Sequence, residues 1–365
     1  MTSPYQLWPD NCGCARRTLN IAKALTRLGH SVKLLSRTTV NSDMDLGPEG
    51  EWKYYSNWGA SGHFFNPSFL SGLDYFLHKK NISMIVASFP YQTMMVIRKA
   101  REAGLPVVYD AHNVEANRFK FTHNPFKAYL VQKTEAYLCK HAQAVLTVSS
   151  GDCDLMEFYY GVKSYLLPNG VNTRYFTPGE KDRTLVSLYQ LEDRQVVLYF
   201  GNYDYKPNRE ALHFLIERIW PTVKKRYPKA ILMTIGRNPP SWVNGNPDII
   251  ATGAVDDITS HLRLANVVVI PLMKGGGTRL KILEALSCAQ VVLSTPKGAS
   301  GIEGVDQKGL IVVPHEDFAE KLIDLLEQNI CPCSNEYSRQ IAKKYEWQQL
   351  VGNIDWESLS SMESQ

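Results

Sequence analysis

The sequence predicts an α/β protein made of two Rossmann-like domains, each a parallel sheet flanked by helices. Short apolar segments alternate with amphipathic helical segments in the first half of the chain, and the same alternation restarts in the second half. Repeats of this βαβ kind build parallel sheets, because the helix returns the chain to the edge from which the strand started. The length of 365 residues suits two domains of ordinary size.

In the first half, four apolar segments are typical of buried strands, and three amphipathic segments are typical of crossover helices. The strands are expected at residues 31–36, 84–87, 107–109 and 144–148. The helices are expected at residues 14–28, 91–103 and 126–140. This first domain is assigned to residues 1–172. The polar segment 173–194, which contains Pro178 and Gly179, is interpreted as a linker.

The second domain is assigned to residues 195–345, and residues 346–365 are expected to form a helix that packs back on the first domain. Strands are expected at residues 195–200, 230–235, 266–270, 290–294 and 310–313, and helices at residues 207–226, 256–264, 279–288 and 316–328. Ligands of open parallel sheets bind beyond the carboxyl ends of the strands. Two such domains facing each other are therefore expected to enclose a central cleft that holds the functional site.

Composition excludes several classes of protein. A net charge of +4 is far below the positive field of a dedicated nucleic-acid binder, so no nucleic-acid partner is expected. No apolar segment is long enough to cross a bilayer, and the N-terminus lacks the features of a secretory signal, so a cytoplasmic location is expected. Seven scattered cysteines suit reduced thiols, and Cys331-Pro-Cys333 lacks a second pair of metal ligands, so no metal site is expected.

The segment 271–285, with the sequence PLMKGGGTRLKILEA, carries the clearest chemical signal. A buried strand runs into three glycines and then a helix, so free backbone amides and the positive end of the helix dipole can bind an anion. Two cations in a first helical turn cost about 0.3–1 kcal/mol each, which favours an anion docked there. Glu284 lies about 10 Å further along the axis, where a carboxylate can reach ribose hydroxyls. The segment predicts a nucleoside diphosphate site. An ordinary glycine turn before an amphipathic helix is the alternative.

This segment resembles the donor-binding segment of glycosyltransferase family 4, whose members are retaining enzymes of the GT-B fold, and it is most similar to those with a Gly-Gly-Gly-Thr-Arg-Leu-Lys-Ile-Leu-Glu-Ala sequence. Further matches are TGAVDD at 252–257, VVLST at 291–295, GASG at 298–301, LPNGVN at 167–172 and FGN at 200–202. The resemblance covers nearly the whole chain. It implies a hexosyltransferase that moves a sugar from a nucleotide diphosphate donor to a hydroxyl of a glycan or lipid-linked acceptor, in cell-surface polysaccharide or glycoconjugate synthesis.

The resemblance also implies roles for residues of the second domain. Glu284 corresponds to the carboxylate that holds the donor ribose, and Arg279 and Lys281 are candidate catalytic partners of the diphosphate. The donor-binding residues are predicted to be Gly275, Gly276, Gly277, Thr278, Glu284, Gly201 and Lys206. Members usually carry a glutamate eight residues before the ribose glutamate, and here that position is Gly276, which obscures the identity of the sugar. The usual Arg and Lys after the first strand of this domain correspond to Asn202 and to Lys206 or Asn208.

In the first domain, His112 follows a buried strand and resembles the histidine that faces the cleft in the family. A hydrogen-bonded structural histidine is the alternative. In retaining members the leaving diphosphate is thought to deprotonate the acceptor hydroxyl, so no protein nucleophile is implied, and the histidine positions or stabilises the sugar. Side-chain cations stabilise the departing diphosphate. No metal or other cofactor is therefore expected.

The segment 10–17, DNCGCARR, resembles the Gly-Gly-Ala-Arg loop of the family. Gly13 is a candidate backbone donor, and Arg16 or Arg17 is a candidate partner of an anionic acceptor or phosphate, with a solvated arginine pair as the alternative. Aromatic residues either line an acceptor groove or pack in the interior: Trp8, Trp52, Trp58, Phe119 and Phe121. Lys120 and Lys127, with the neighbouring Phe126, suggest weak peripheral contact with the inner face of a membrane that holds a lipid-linked acceptor.

Family members begin with an apolar strand directly before the segment that here reads Thr2-Ser3-Pro4-Tyr5. We therefore expect the first, central strand to be missing, which would leave ladder groups unpaired and impair activity. Two other functions stay open. A non-catalytic GT-B protein would retain only the nucleotide site, and a nucleotide-sugar epimerase would need acid and base carboxylates around the sugar. An NAD-dependent oxidoreductase is excluded by the lack of a Gly-x-Gly-x-x-Gly segment after the first strand.

Overall fold

The computed structural model describes residues 1–7, 13–37, 46, 50–56, 65–78, 81–119, 125–274, 280–303, 305, 308–329 and 333–361. Its strands are β1 (Thr2–Gln6), β2 (Val32–Arg37), β3 (Gly50–Tyr55), β4 (Ile85–Ser88), β5 (Val107–Ala111), β6 (Ala144–Thr147), β7 (Tyr165–Leu166), β8 (Val196–Phe200), β9 (Ile231–Ile235), β10 (Ile249–Gly253), β11 (Val267–Ile270), β12 (Val292–Ser294) and β13 (Leu310–Val312).

The helices cover the faces of the sheets. They are α1 (Gly13–Arg27), α2 (Pro67–Leu77), α3 (Thr93–Ala103), α4 (Glu115–Phe119), α5 (Pro125–His141), α6 (Ser150–Tyr160), α7 (Arg183–Leu188), α8 (Lys206–Phe214), α9 (Trp220–Arg226), α10 (Ile258–Leu262), α11 (Leu280–Ser287), α12 (Phe318–Glu327), α13 (Glu336–Lys343), α14 (Trp347–Gly352) and α15 (Trp356–Ser361). A π-helical turn over Leu215–Ile219 joins α8 to α9. Pro221, in the first turn of α9, has no N–H to continue the α-helical hydrogen bonding.

The chain forms two parallel-sheet α/β units. The first consists of Met1–Asn169 together with Trp347–Gln365, and the second is Gly170–Glu346. The segment 173–194, which we interpreted as a linker, lies within the second unit and contains α7. The C-terminal segment lies within the first unit, where α14 packs on α1.

Each unit is organised around one sheet. In the described residues of the first unit the strand order is β3-β2-β1-β4-β5-β6-β7, and in the second it is β10-β9-β8-β11-β12-β13, with every pairing parallel. Strands such as β8 (VVLYF) and β11 (VVVI) are buried along their whole length, as expected for parallel strands covered by helices on both faces. The order reverses beside β1 and β8, so the carboxyl ends of these strands mark the ligand-binding edges.

The expectation that the first strand is missing is wrong. Thr2–Gln6 forms β1 at the centre of the first sheet, where Thr2 pairs with Leu35 on one side and Ala87 on the other. Thr2, Ser3 and Pro4 are buried. The register shifts between Ser3 and Gln6, which accommodates a proline that cannot donate to the ladder. Thr2–Gln6 therefore forms a strand because its backbone pairs with β2 and β4 on both sides, although its sequence lacks the apolar pattern of a strand.

Among the described residues, no helix combines the length and the apolar character needed to span a membrane.

The carboxyl ends of β8 and β9 meet at two glycines. Gly236 has a φ of +155°, and a Cβ atom at this position would lie 1.8 Å from the carbonyl oxygen of Gly201. The Gly236 N–H also donates to the carbonyl oxygen of Gly253, the last residue of β10, at 2.8 Å. Since the clashing atom belongs to the backbone, a side chain cannot be accommodated by a rotamer change. The absence of a Cβ at Gly236 is therefore a condition for bringing these strand ends together.

We predict that Gly236→Ala destabilises the second unit by at least about 1–3 kcal/mol, the usual cost of overpacking a close contact. Chemical unfolding would measure the loss. Gly352→Ala is the matched control, because its nearest atoms, from Leu28, would lie 3.8 Å from the added Cβ. Equal unfolding free energies for Gly236→Ala and the unmodified protein would show that the contact between the two strand ends is not required.

Candidate active site

In the second unit, Lys281 is held at the glycine-lined end of β8. Its Nζ donates to the Phe200 carbonyl oxygen at 2.8 Å and to Asn208 Oδ1 at 3.0 Å. A Cβ atom on Gly201 would lie 2.7 Å from the same Nζ. Lys281 lies on the first turn of α11, so this helix delivers a positive charge to the backbone at the strand end. The predicted donor residues Lys281 and Gly201 are thus brought together.

The loop that follows β8 is fixed by side chains of α8. Asn208 Nδ2 donates to the Asn202 carbonyl oxygen at 2.8 Å. Arg209 Nη1 donates to the carbonyl oxygens of Tyr203 and Asp204, at 2.6 and 2.9 Å. These hydrogen bonds to the carbonyl oxygens of residues 202–204 hold the loop backbone in one conformation.

Lys206, a predicted donor-binding residue, has a different position. Its side chain is 77% exposed and lies 3.7 Å from the Glu210 carboxylate. Lys281 instead contacts Asn208, one of the two positions where the family resemblance placed the usual loop lysine. The cation at the end of β8 is therefore Lys281 of α11 rather than Lys206 of α8. The sequence alone did not show that the lysine would come from a different helix.

Glu284 lies one turn after Lys281 on α11, and its side chain is buried. Burial of a carboxylate requires polar partners or a ligand that compensates for lost hydration. The predicted residues Gly275, Gly276, Gly277, Thr278 and Arg279 lie outside the described residues. Of the side chains predicted to bind the donor from this segment, Lys281 and Glu284 are among the described residues.

The segment that leads into the predicted glycine segment is anchored by the hydroxyl groups of two residues, one at the end of β12 and one directly after it. Ser294 Oγ donates to the Ile270 carbonyl oxygen at 3.0 Å, and Thr295 Oγ1 donates to the Leu272 carbonyl oxygen. The Gly298 N–H in turn donates to Thr295 Oγ1 at 3.0 Å. These bonds fix the end of β11 and Leu272, which lies three residues before Gly275, the start of the glycine segment.

The other end of α11 is held by Arg339 of α13. Arg339 Nη1 donates to the Ser287 carbonyl oxygen at 2.6 Å and to the Phe176 carbonyl oxygen at 2.8 Å, while Nη2 donates to the Thr173 carbonyl oxygen at 2.8 Å. A cation at a helix C-terminus also interacts favourably with the helix dipole. Arg339 therefore orients the helix that carries Lys281 and Glu284. The sequence analysis missed it, because no local signal marks its partners.

In the first unit, Arg17, Asp110 and His112 form one buried polar group. Arg17 Nε and Nη2 donate to Asp110 Oδ1 at 2.9 and 2.6 Å. His112 Nε2 lies 2.8 Å from Asp110 Oδ2. The Arg17 and Asp110 side chains are 1% and 0% exposed, and that of His112 is 5% exposed. Two predicted site residues from distant segments, Arg17 and His112, are thus joined through Asp110.

The charges of this group are coupled. Burial alone would raise the pKa of Asp110, but the Arg17 guanidinium and the His112 imidazole outweigh it and hold that pKa well below its usual value. Burial lowers the pKa of His112, and Asp110 offsets part of this effect. Asp110 is therefore ionised and His112 is neutral at pH 7.

The Gly13–Arg17 segment differs in part from its predicted role. Arg17 Nη1 donates to the Leu167 carbonyl oxygen at 2.9 Å and to Asn169 Oδ1 at 3.1 Å, so its guanidinium is engaged within the protein on all three nitrogens. This buried position argues against Arg17 as a direct partner of an anionic acceptor. Gly13 is exposed at the start of α1, and Arg16 is half-buried.

A buried carboxylate holds the loop that carries His112. Glu135 of α5 accepts hydrogen bonds from the backbone N–H groups of Glu115 and Ala116, at 3.0 and 2.9 Å. It also accepts from the hydroxyls of Tyr109 and Tyr160, at 2.8 and 2.7 Å. Burial raises the pKa of Glu135, and its four donors oppose that effect. Glu135 caps the start of α4 and so limits movement of residues 112–114; the sequence analysis did not identify it.

The aromatic ring that packs against His112 in the described residues is Phe89, which was not among the predicted aromatic residues. The Phe89 ring centroid lies 4.2 Å from that of His112 and 4.7 Å from that of Tyr5. Phe119 is buried close to this group. Trp52 donates to Ser36 Oγ at 2.8 Å within the sheet. The predicted residues Trp8, Trp58, Lys120 and Phe121 lie outside the described residues.

Comparisons with known proteins identify both halves of the chain. Residues 12–175 match the family model described as Glycosyltransferase Family 4, and residues 194–328 match the model described as Glycosyl transferases group 1. A probable sucrose-phosphate synthase of Thermosipho melanesiensis is 21% identical over an alignment 394 positions long, which covers 93% of this chain and 89% of the relative.

Solved structures show the same fold. HepE of Anabaena, in complex with UDP and glucose, has a TM-score of 0.73 at 13% identity, covering 99% of each chain. Sucrose-phosphate synthase of Thermosynechococcus elongatus has a TM-score of 0.69 at 17% identity, covering 96% of this chain and 91% of the other. With both parallel-sheet units matched by glycosyltransferase family models, the chain is a glycosyltransferase of the GT-B type.

Proposed function

We propose that this glycosyltransferase moves a hexose, with retention of anomeric configuration, from a uridine diphosphate donor to an acceptor hydroxyl. The observation that carries the proposal is the position of Lys281, whose ammonium group lies against the glycine at the end of β8. A cation beside bare backbone at the carboxyl edge of a parallel sheet suits a diphosphate. UDP is favoured because the HepE structure contains UDP and glucose.

In this proposal the second unit binds the donor. Lys281 and, from the predicted Gly-Gly-Gly-Thr-Arg segment, Arg279 neutralise the diphosphate and stabilise it as it departs. Glu284 accepts hydrogen bonds from the ribose hydroxyls. These side chains supply the charge compensation that a metal ion provides in other phosphate-transferring enzymes, so we expect no metal requirement. Within the described residues, no group of three or more histidine, cysteine, aspartate or glutamate side chains could hold a metal ion.

The departing diphosphate oxygen removes the proton from the acceptor hydroxyl, and the new glycosidic bond forms on the face from which the diphosphate leaves. Positioning and charge stabilisation then account for the rate enhancement. We assign His112 to the binding of a sugar hydroxyl. Its position after β5, at the carboxyl edge of the first sheet, supports this role.

The acceptor is proposed to be a glycan or a lipid-linked sugar, and the outer face of α5 supports the lipid-linked form. Phe126 and Tyr129 are 75% and 57% exposed. Lys133 lies 5.3 Å from the centre of the Tyr129 ring, and Lys127 is also exposed. The acidic residue of α5, which is described in full, is Glu135, and it is buried. An exposed face of aromatic and basic side chains favours contact with an anionic membrane surface.

A free phosphorylated sugar is the second candidate acceptor. The specific observation in its favour is the similarity to sucrose-phosphate synthases along most of the chain. A lipid-linked acceptor lies in a membrane, whereas a free sugar phosphate does not. Measurements of membrane binding and of acceptor selectivity can therefore distinguish the two acceptor classes.

We predict that UDP raises the melting temperature of the protein more than GDP or ADP does. Glu284→Ala should weaken UDP binding by about 1–3 kcal/mol, because it removes charge-assisted hydrogen bonds, and Lys281→Ala should weaken it similarly. Isothermal titration would measure both effects, with Lys225→Ala, an exposed lysine of α9, as the control. Full UDP affinity in the folded Glu284→Ala and Lys281→Ala variants would contradict the donor assignment.

Transfer itself can be followed as UDP release from UDP-glucose, with fructose 6-phosphate, glucose 6-phosphate and lipid-linked sugars as acceptors, and the configuration of the product read by NMR. His112→Ala should leave UDP binding intact and reduce transfer at least about tenfold, since one positioning contact to the sugar is lost. An inverted product would overturn the retaining mechanism. Loss of folding in His112→Ala would support a structural role for this histidine.

For the membrane, we expect the protein to co-sediment with vesicles of phosphatidylcholine containing phosphatidylglycerol, but not with phosphatidylcholine alone. Each lysine near an anionic surface contributes about 1 kcal/mol, so the double substitution Lys127→Glu and Lys133→Glu should abolish binding, while Lys225→Glu should not. Absence of co-sedimentation, together with transfer to a soluble sugar phosphate, would favour the second acceptor class.

A further inference from the structure

The two ring nitrogens of His112 have unequal surroundings. Nε2 lies 2.8 Å from Asp110 Oδ2. Nδ1 is buried and has no hydrogen-bond partner among the described residues. A buried polar atom without a partner costs free energy, so the unpaired nitrogen indicates that a ligand group completes its hydrogen bonding. The chemistry of that group depends on whether Nδ1 carries a hydrogen.

The position of the hydrogen follows from Asp110. An ionised carboxylate can only accept hydrogen bonds, and Asp110 is kept ionised by two hydrogen bonds from Arg17 to its Oδ1. The short contact between Asp110 Oδ2 and His112 Nε2 therefore requires that Nε2 carry the hydrogen. In a neutral imidazole the other nitrogen then holds a lone pair.

We propose that Arg17 and Asp110 are positioning residues that hold His112 as its Nε2–H tautomer, so that Nδ1 accepts a hydrogen bond from a sugar hydroxyl. Built in this way, His112 selects a neutral ligand group that donates a hydrogen, and disfavours an anionic oxygen of a phosphate or carboxylate. The assignment of a sugar as the ligand rests on the proposed function; the tautomer does not.

Other charged groups near His112 are consistent with this assignment. From α1 the facing group is Arg17, from β5 it is Asp110, and from α4 it is Glu115. The Glu115 carboxylate is occupied by Arg118 Nε at 2.9 Å and by the Tyr91 hydroxyl at 3.1 Å. Among the described residues, the apolar Phe89 ring is a further close neighbour. Burial lowers the pKa of His112, so the neutral form that the proposal needs is present at pH 7.

Arg17 also contacts the chain just before it leaves the first unit. Its Nη1 donates to the Leu167 carbonyl oxygen and to Asn169 Oδ1, and Asn169 is the last residue of the unit before the chain enters the second one. With its guanidinium bonded to Asp110 and to this segment, Arg17 cannot rotate away from Asp110 without breaking several hydrogen bonds. The orientation of His112 is thus fixed by contacts that involve no ligand.

The first test uses the unmodified protein. Proton-coupled ¹⁵N NMR of the histidine rings at pH 7 distinguishes the two tautomers, and comparison with His112→Ala assigns the His112 signals. We expect hydrogen on Nε2 and a bare Nδ1. Hydrogen on Nδ1, or a doubly protonated ring at pH 7, would overturn the proposal. This result is independent of transfer, so it can fail while the proposed glycosyltransferase activity stands, and the reverse.

The second test measures the consequence for activity. In Asp110→Asn we expect kcat for UDP release from UDP-glucose to fall about 10–100-fold, the loss seen when an orienting outer partner is removed at metal sites, with UDP affinity unchanged. Removing the carboxylate should also lower the pKa of His112 in an NMR titration. Arg17→Lys should cause a smaller loss in kcat. The control is Arg98→Lys, in an exposed ion pair with Glu102.

A folded Asp110→Asn variant with unchanged kcat and an unchanged His112 tautomer would overturn the roles of Asp110 and Arg17. If the loss of charge next to Arg17 prevents folding, the tautomer measured in the unmodified protein and the kinetics of Arg17→Lys still decide the question.

Discussion

Parallel strand pairing is the constraint on which both halves of the molecule depend. It brings the carboxyl ends of all strands in a sheet to one edge, where backbone groups are no longer used by the ladder. In the second unit, Gly236 and the Gly201 carbonyl oxygen approach each other at that edge more closely than a residue with a Cβ at position 236 would permit. In the first unit the same kind of edge carries Asp110 and His112 at and after the end of β5. The side chains of the candidate site thus lie at sheet edges that the topology already provides.

Each of these edges is supported from within its own unit. Arg339 connects the C-terminus of α11 with the carbonyl groups of Thr173 and Phe176, and Thr173 also donates to the Glu346 carboxylate. In the first unit, Glu135 holds the start of α4 while Arg17 holds Asp110. Buried charged groups are stable only when they are paired and hydrogen-bonded. Here their partners are largely the backbone atoms that position candidate site residues.

Much of the fold could be predicted because uniformly apolar strands and amphipathic helices leave strong patterns. β1 could not, since Thr2, Ser3 and Pro4 lack such a pattern and their placement depends on pairing with β2 and β4. Candidate site residues could be named from the sequence where a short segment carries the signal, as at Lys281, Glu284, His112 and Arg17. The internal partners of Arg17 and the positions of Glu135 and Arg339 could not be predicted, because the groups that they contact are distant in sequence.

The internal partners of Lys281 have a consequence for turnover. Its ammonium group already has a carbonyl oxygen and an amide oxygen as acceptors, so the diphosphate of the proposed donor would have to compete with them for the same hydrogens. The gain on binding is then the difference between two sets of hydrogen bonds, which is much smaller than the energy of either set. After transfer in the proposed reaction, the Phe200 carbonyl oxygen and Asn208 would again accept hydrogen bonds from the ammonium group. Such an arrangement would limit the affinity for the nucleotide product and favour its release.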